Sequence, residues 1–215
     1  MYVLHSFAND GVDGALPSGT LLIGSDNMFY GTTSIGGSTG NGTLFQTNPG
    51  TGQTNIVHSF ENSSTDGGQP NGTLAMGNNN IIYGTSYVGG SGLGAGTIFS
   101  YNLNTATFAT NYSFPYNSLG PIYHPIGINP QSGLVLGNDG KLYGVANQGG
   151  AISMTGGTLY QFDPTTSTAI NLFSFGTDSS SWISPRSDLL VGSDGIIYGT
   201  TSAGGTYSGG TIFKY

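Results

Sequence analysis

The 215-residue chain has no cysteine, one tryptophan and only three lysines and arginines. Without cysteine there is no disulfide, no thiolate nucleophile and no sulfur-ligated metal. The compartment stays open, because exported bacterial proteins often do without cysteine. Three basic residues against ten acidic ones, with a net charge of -7, cannot neutralise a run of phosphates, which excludes nucleic acid as a partner. Charged residues make up 6% of the chain, and the helix formers Glu, Lys, Gln and Ala are scarce. No window repeats apolar residues at helical spacing over several turns. No apolar run approaches the length of a membrane span, so no membrane insertion is expected. The opening MYVLHSF has neither a basic n-region nor an apolar h-region, which reads as a mature fragment or a chain that is not exported.

What the chain does have is 39 glycines and short runs of Ile, Val, Leu, Phe, Tyr and Thr bounded by Gly, Asn, Asp and Pro, an all-β composition. One stretch occurs four times: LLIGSDNMFYGTTSIGGSTGNGTLF from Leu21, with copies beginning at Leu74, Leu134 and Leu189. The Tyr-Gly pairs at Tyr30, Tyr83, Tyr143 and Tyr198 are 53, 60 and 55 residues apart, and the Gly-Gly pairs at Gly36, Gly89, Gly149 and Gly204 keep the same steps. The aromatic of a Ser-Phe pair recurs at Phe7, Phe60, Phe114 and Phe175. A period of this length signals a propeller or a solenoid.

Within a copy the pattern predicts four strands, A to D. Strand A is Met1 to Phe7, strand B is Thr20 to Gly24, strand C is Met28 to Thr33 and strand D is Thr43 to Thr47. Long Gly-rich loops follow A and C, and tight turns follow B and D. Antiparallel strands reverse direction each time, so both long loops emerge at one end of a blade and both turns at the other. There is no room for a crossover helix, and four short antiparallel strands make one propeller blade. The expectation is a single domain over 1–215, a four-bladed β-propeller with repeat units near 1–54, 55–109, 110–169 and 170–215. The longest connection, A to B, is taken as the step between blades, which makes B the inner strand. The chain then ends on a strand D without its A, so Met1 to Phe7 is expected to pair with Thr211 to Tyr215 and close the ring. An open stack, or a ring completed by a second chain, is the alternative.

The recurring G-x-D-G-x-x-Y-G-T-T with G-T-x-F, as in Gly192 to Thr201 and Gly209 to Phe213, resembles the GloVer-type tandem repeat of bacterial surface and exported proteins. The resemblance covers essentially the whole chain. It implies a propeller, export or a cell-surface location, and no established catalytic residues. The third copy departs from it at Val145-Ala146-Asn147 and at Tyr123-His124-Pro125.

Four copies in one chain supply their own baseline, since the blade needs a residue in every copy and a ligand needs it in one. His5 and His58 share a slot with Tyr112 and Phe173, so they read as packing rings and not as metal ligands. Asp13-Gly14 and Asp66-Gly67 read as turn residues, although Ca²⁺ in these Asp-bearing loops is left open. Single-copy residues concentrate in the A to B loops of the third and fourth units: Tyr116, Tyr123, His124, Asp178, Trp182 and Arg186. A flat aromatic beside a guanidinium and carboxylates suits a neutral glycan, whose C-H faces stack on rings and whose hydroxyls take directional hydrogen bonds. The plain alternative has Trp182 plugging a loop and Arg186 pairing with Asp188. The reading is therefore a non-catalytic extracellular binding module. A polysaccharide hydrolase or lyase on the same face, and a self-assembling surface module, are the other readings. Gly36 to Gly40 matches a nucleophile-elbow string, but no helix follows it.

Overall fold

The computed structural model describes residues 1–91, 94–116, 124–150, 156–176 and 184–215. Its strands form four antiparallel sheets, one per repeat. Blade 1 is β1 (Gly14–Ile23), β2 (Phe29–Gly36), β3 (Thr43–Thr47) and β4 (Thr54–Ser59). Blade 2 is β5 (Gly67–Pro70), β6 (Ala75–Met76), β7 (Ile81–Gly89), β8 (Thr97–Asn102) and β9 (Thr107–Ser113), and a short 3₁₀ turn at Asn78–Asn80 precedes β7. Blade 3 is β10 (His124–Pro130), β11 (Val135–Leu136), β12 (Leu142–Gly150), β13 (Thr158–Asp163) and β14 (Thr168–Ser174). Blade 4 is β15 (Leu190–Val191), β16 (Ile197–Thr201) and β17 (Thr211–Lys214). Each complete sheet runs B, C, D and then the following A.

Inner strands begin earlier than the sequence suggests, β1 at Gly14 where the pattern placed a loop up to Gly19. Pro17 sits inside β1, and a proline is tolerated there because an innermost strand has a neighbour on one side only. The B to C turn is pinned by the recurring tyrosine: Tyr30, Tyr143 and Tyr198 each donate their hydroxyl to the aspartate four residues back, at 2.8, 2.9 and 3.0 Å. Burial first, and then the Asp26 carboxylate, push the Tyr30 phenol up.

Neighbouring blades share three apolar seams. The first joins Tyr30 and Leu44 of blade 1 to Leu74, Ile82 and Phe99 of blade 2. The second joins Tyr83 and Ile98 to Leu134, Leu142 and Tyr160, and the third Tyr143 and Leu159 to Leu189 and Ile197. Phe60, Phe114 and Phe175, each just past an outer strand, cross to the next blade and meet Phe99, Tyr160 and Phe213 at 5.0 to 5.2 Å. The inner strands converge at the middle, where Thr20 and Thr73 are hydrogen-bonded at 3.0 Å and Asp188 accepts from Gly133 N–H at 2.6 Å and from Thr73.

The expected closure does not form. Met1 to Phe7 is not a strand, and among the described residues β17 pairs with β16 alone, leaving blade 4 three-stranded. Phe7 packs on Phe45 at 5.0 Å and His5 reaches Asp13 at 3.0 Å, the same next-blade contacts that Phe60 makes with Phe99 and His58 with Asp66 while β4 stays paired with β3. This segment therefore sits on blade 1 as the other A segments sit on their next blades, and what it lacks is a β17 within reach. Blade 4 does not come round to meet it, and Ile212 on β17 stays 82% exposed.

Candidate ligand-binding face

The long connections leave the sheets at one end, and two residues that recur in blades 1 and 2 set their shape. His58 Nε2 lies 2.9 Å from Asp66 Oδ2, which also takes the Glu61 N–H, while Asp66 Oδ1 takes the Gly67 N–H at 2.7 Å. His58 in turn stacks on Phe108 with centroids 3.5 Å apart. Blade 1 repeats the device with His5, Asp13, Ala8 N–H and Gly14 N–H. The carboxylates read as turn residues are thus the hubs of their loops, with both oxygens committed to N–H donors. Among the described residues no group of three or more His, Asp or Glu could hold a metal ion. Asp66→Ala would strand the buried N–H groups it serves, at a cost of about 2 kcal/mol. Chemical denaturation should show that loss, with a smaller one for the more exposed Asp13→Ala.

Blade 3 inverts this arrangement. Tyr112 occupies the place of His58, opposite Ile98 as His58 is opposite Leu44. Pro115 stands where Glu61 does and has no N–H to give. The residue facing it is correspondingly a donor: His124 is 1% exposed, with Nδ1 3.2 Å from the Pro115 carbonyl. Tyr116 lies over the His124 ring at 4.8 Å and keeps 37% of its surface exposed. Of this pair, only Tyr116 offers a ring to solvent.

In blade 4 Arg186 does not pair with Asp188. Residues i and i+2 of an extended strand would share a face, but the chain bends at Ser187 and Asp188 is held at the axis by Gly133 N–H and Thr73. Arg186 stays exposed and sends Nε to Asn147 Oδ1 at 3.4 Å and Ser184 Oγ at 3.3 Å. Ser184 donates to the same Asn147 oxygen. Asn147 is 5% exposed and stands where the other copies have Ser34, Tyr87 and Ser202, so two single-copy residues 39 apart in sequence meet at one spot. Ser187 and Thr200 bond to each other beside it, at 2.8 Å between hydroxyls. The Arg186–Asn147 meeting could have been found by pairing the departures of adjacent copies. Tyr123, Asp178 and Trp182 lie outside the described residues.

Among the described residues no helix is long and apolar enough to cross a membrane, which says nothing of spans made from strands. No curated protein matches the sequence significantly. Solved structures do. The chain is similar to one in the crystal structure of a nidogen/laminin complex, with 12% identity and a TM-score of 0.55 over 86% of this chain and 57% of that one. It is similar to TolB from Acinetobacter baumannii, with 14% identity and a TM-score of 0.53 over 91% of this chain and 40% of that one. It therefore spans about half the length of these chains, and at such identities the likeness speaks for the fold. The Gloeobacter/Verrucomicrobia repeat pattern matches residues 1–213, and the chain belongs to that repeat family.

Proposed function

We propose that this protein is a non-catalytic, extracellular binding module that holds a neutral glycan on its long-loop face. The observation that carries this reading is the meeting of Arg186 and Asn147, each present in one copy of four, with the guanidinium left at the surface. A residue the blade does not require, held in place by another that the blade does not require, is what a ligand site needs and a scaffold does not. The hydroxyl of Ser184 beside it suits sugar hydroxyls, and the exposed Tyr116 ring suits a C-H face. The net charge of -7 disfavours acidic polysaccharides.

Affinity electrophoresis through gels of neutral polysaccharides should retard the protein. Arg186→Ala and Trp182→Ala should each weaken retention about tenfold or more, which corresponds to about 1.4 kcal/mol. Retention that both variants leave unchanged, or none across the panel, overturns the reading. Release of reducing ends from a retained polysaccharide would turn it into an enzyme.

A further inference from the structure

The fourfold repeat gives every position three internal controls, and two faces of the molecule fail them together. On blade 4, Ile212 is 82% exposed, whereas the matching Leu44, Ile98 and Leu159 are 0 to 1% exposed. On blade 1, Leu21 is 53% exposed, whereas Leu74, Leu134 and Leu189 are 3 to 6% exposed. Thr200 is exposed where Thr32, Thr85 and Val145 are buried. These are the two halves of one seam: Leu44, Ile98 and Leu159 are the residues a blade offers to its successor, and Leu74, Leu134 and Leu189 those it offers to its predecessor.

Backbone contacts say the same. Gly42, Gly96 and Gly157 each lie against a proline of the next blade, Pro70, Pro130 and Pro185, while Gly210 has no such neighbour. Gln69 N–H donates to Asn41 O across the first seam, and Asn129 N–H to Ala95 O across the second, at 2.8 and 2.7 Å. Leu16, the matching residue of blade 1, is 63% exposed. Beside it lies a cleft of about 440 Å³ lined by Leu4, Phe7, Leu21, Phe29, Phe45 and Thr47, with no blade 4 residue in its wall. The edge of β17 is free as well.

We propose that these two faces dock a second copy of this chain head to tail, blade 4 of one copy on blade 1 of the other. The occupant follows from the faces themselves. Each is shaped for the other by the three seams already formed, and one additional copy brings both at once. A two-fold arrangement then satisfies two identical seams and lets Met1 to Phe7 of one copy complete the three-stranded blade of its neighbour, removing a free strand edge that invites uncontrolled pairing. Docking through the same elements without ring closure would give a fibre.

The register of the new ladder follows from the existing ones. Gln46 faces Asn55, Ser100 faces Ala109 and Gln161 faces Ile170, which places Lys214 opposite Tyr2. Both side chains are exposed, and the chain has no cysteine to interfere. In the double variant Tyr2→Cys with Lys214→Cys, oxidation should give a covalent two-chain species on a non-reducing gel, at a separation cross-strand disulfides can span. Each single variant should give none in the same register. Light scattering of the wild-type chain should return at least twice the mass of one chain, and Ile212→Glu should return one chain while keeping its β-sheet circular dichroism. An intrachain disulfide with single-chain mass overturns the proposal in favour of a ring closed on itself. No disulfide and single-chain mass overturns it too, and would leave the faces to other blades of the same repeat.

Discussion

Phe99→Ala is expected to cost about 3 to 5 kcal/mol, the range for emptying a large aromatic from a well-packed core. Phe99 is fully buried. Its ring meets Phe60 edge-on at 5.0 Å and stacks near Phe108 at 5.5 Å. Phe60 trails the outer strand of blade 1, Phe108 belongs to the outer strand of blade 2, and His58 lies flat on Phe108. Removing Phe99 therefore loosens two blades and their seam at once. The space cannot simply collapse, because the atoms facing it belong to Leu74 and to the backbone of Gly84, where an added methyl would already touch the Phe99 ring at 2.4 Å. Phe213 occupies the same position on blade 4 but is only partly buried, so Phe213→Ala should cost markedly less. Denaturant titration of both variants checks this, with a drop in midpoint at similar slope. Equal losses would mean that the seams do not differ in packing, contrary to the exposure of blade 4.

Much of this fold is visible in the letters because each blade is local. Tight turns at Asp139-Gly140 and Asp194-Gly195, Gly pairs and β-branched runs specify four hairpin-connected strands, and those strands form with the expected inner-to-outer order. Some chemistry was written there but unread. The Asp that holds Tyr30, Tyr143 and Tyr198 stands four residues back in three copies, and His5–Asp13 and His58–Asp66 share a spacing of eight residues. Ring closure is a different kind of quantity. It depends on the sum of the rotations between blades, and alternation within Met1 to Phe7 carries no information about that sum. The site is likewise half hidden. Nearness in sequence suggested Arg186 with Asp188, and an extended chain would put both on one face, yet the chain bends at Ser187, and the axis claims Asp188 while the rim claims Arg186.

Gly96→Ala should be nearly as damaging as the loss of Phe99, and through the opposite error, too much matter in place of too little. Gly96 has φ +102°, a conformation costly for any residue with a side chain, and its added methyl would sit 2.5 Å from the Ser86 carbonyl and 2.7 Å from Pro130 Cδ. Neither atom can yield cheaply. Ser86 is part of the β7–β8 ladder, and Pro130 ends the inner strand of the next blade with its ring stiff by construction. The conformational cost of about 1 to 2 kcal/mol adds to an overpacking cost of about 1 to 3 kcal/mol. Two glycines separate these contributions. Gly40 has φ +79° with no atom within 4 Å of the added methyl, so Gly40→Ala should show the conformational cost alone. Gly210 repeats the carbonyl clash, with Thr201 O at 2.5 Å, but within a single chain has no proline against it, so with all three changes made in the single-chain Ile212→Glu variant Gly210→Ala should fall between the other two. Thermal unfolding of the three variants is expected to rank Gly96→Ala below Gly210→Ala and Gly210→Ala below Gly40→Ala. If Gly96→Ala and Gly210→Ala melted together, the glycine-on-proline contact between blades 2 and 3 would contribute nothing, and the recurrence of Pro17, Pro70, Pro130 and Pro185 would need a reason within each blade instead of between them.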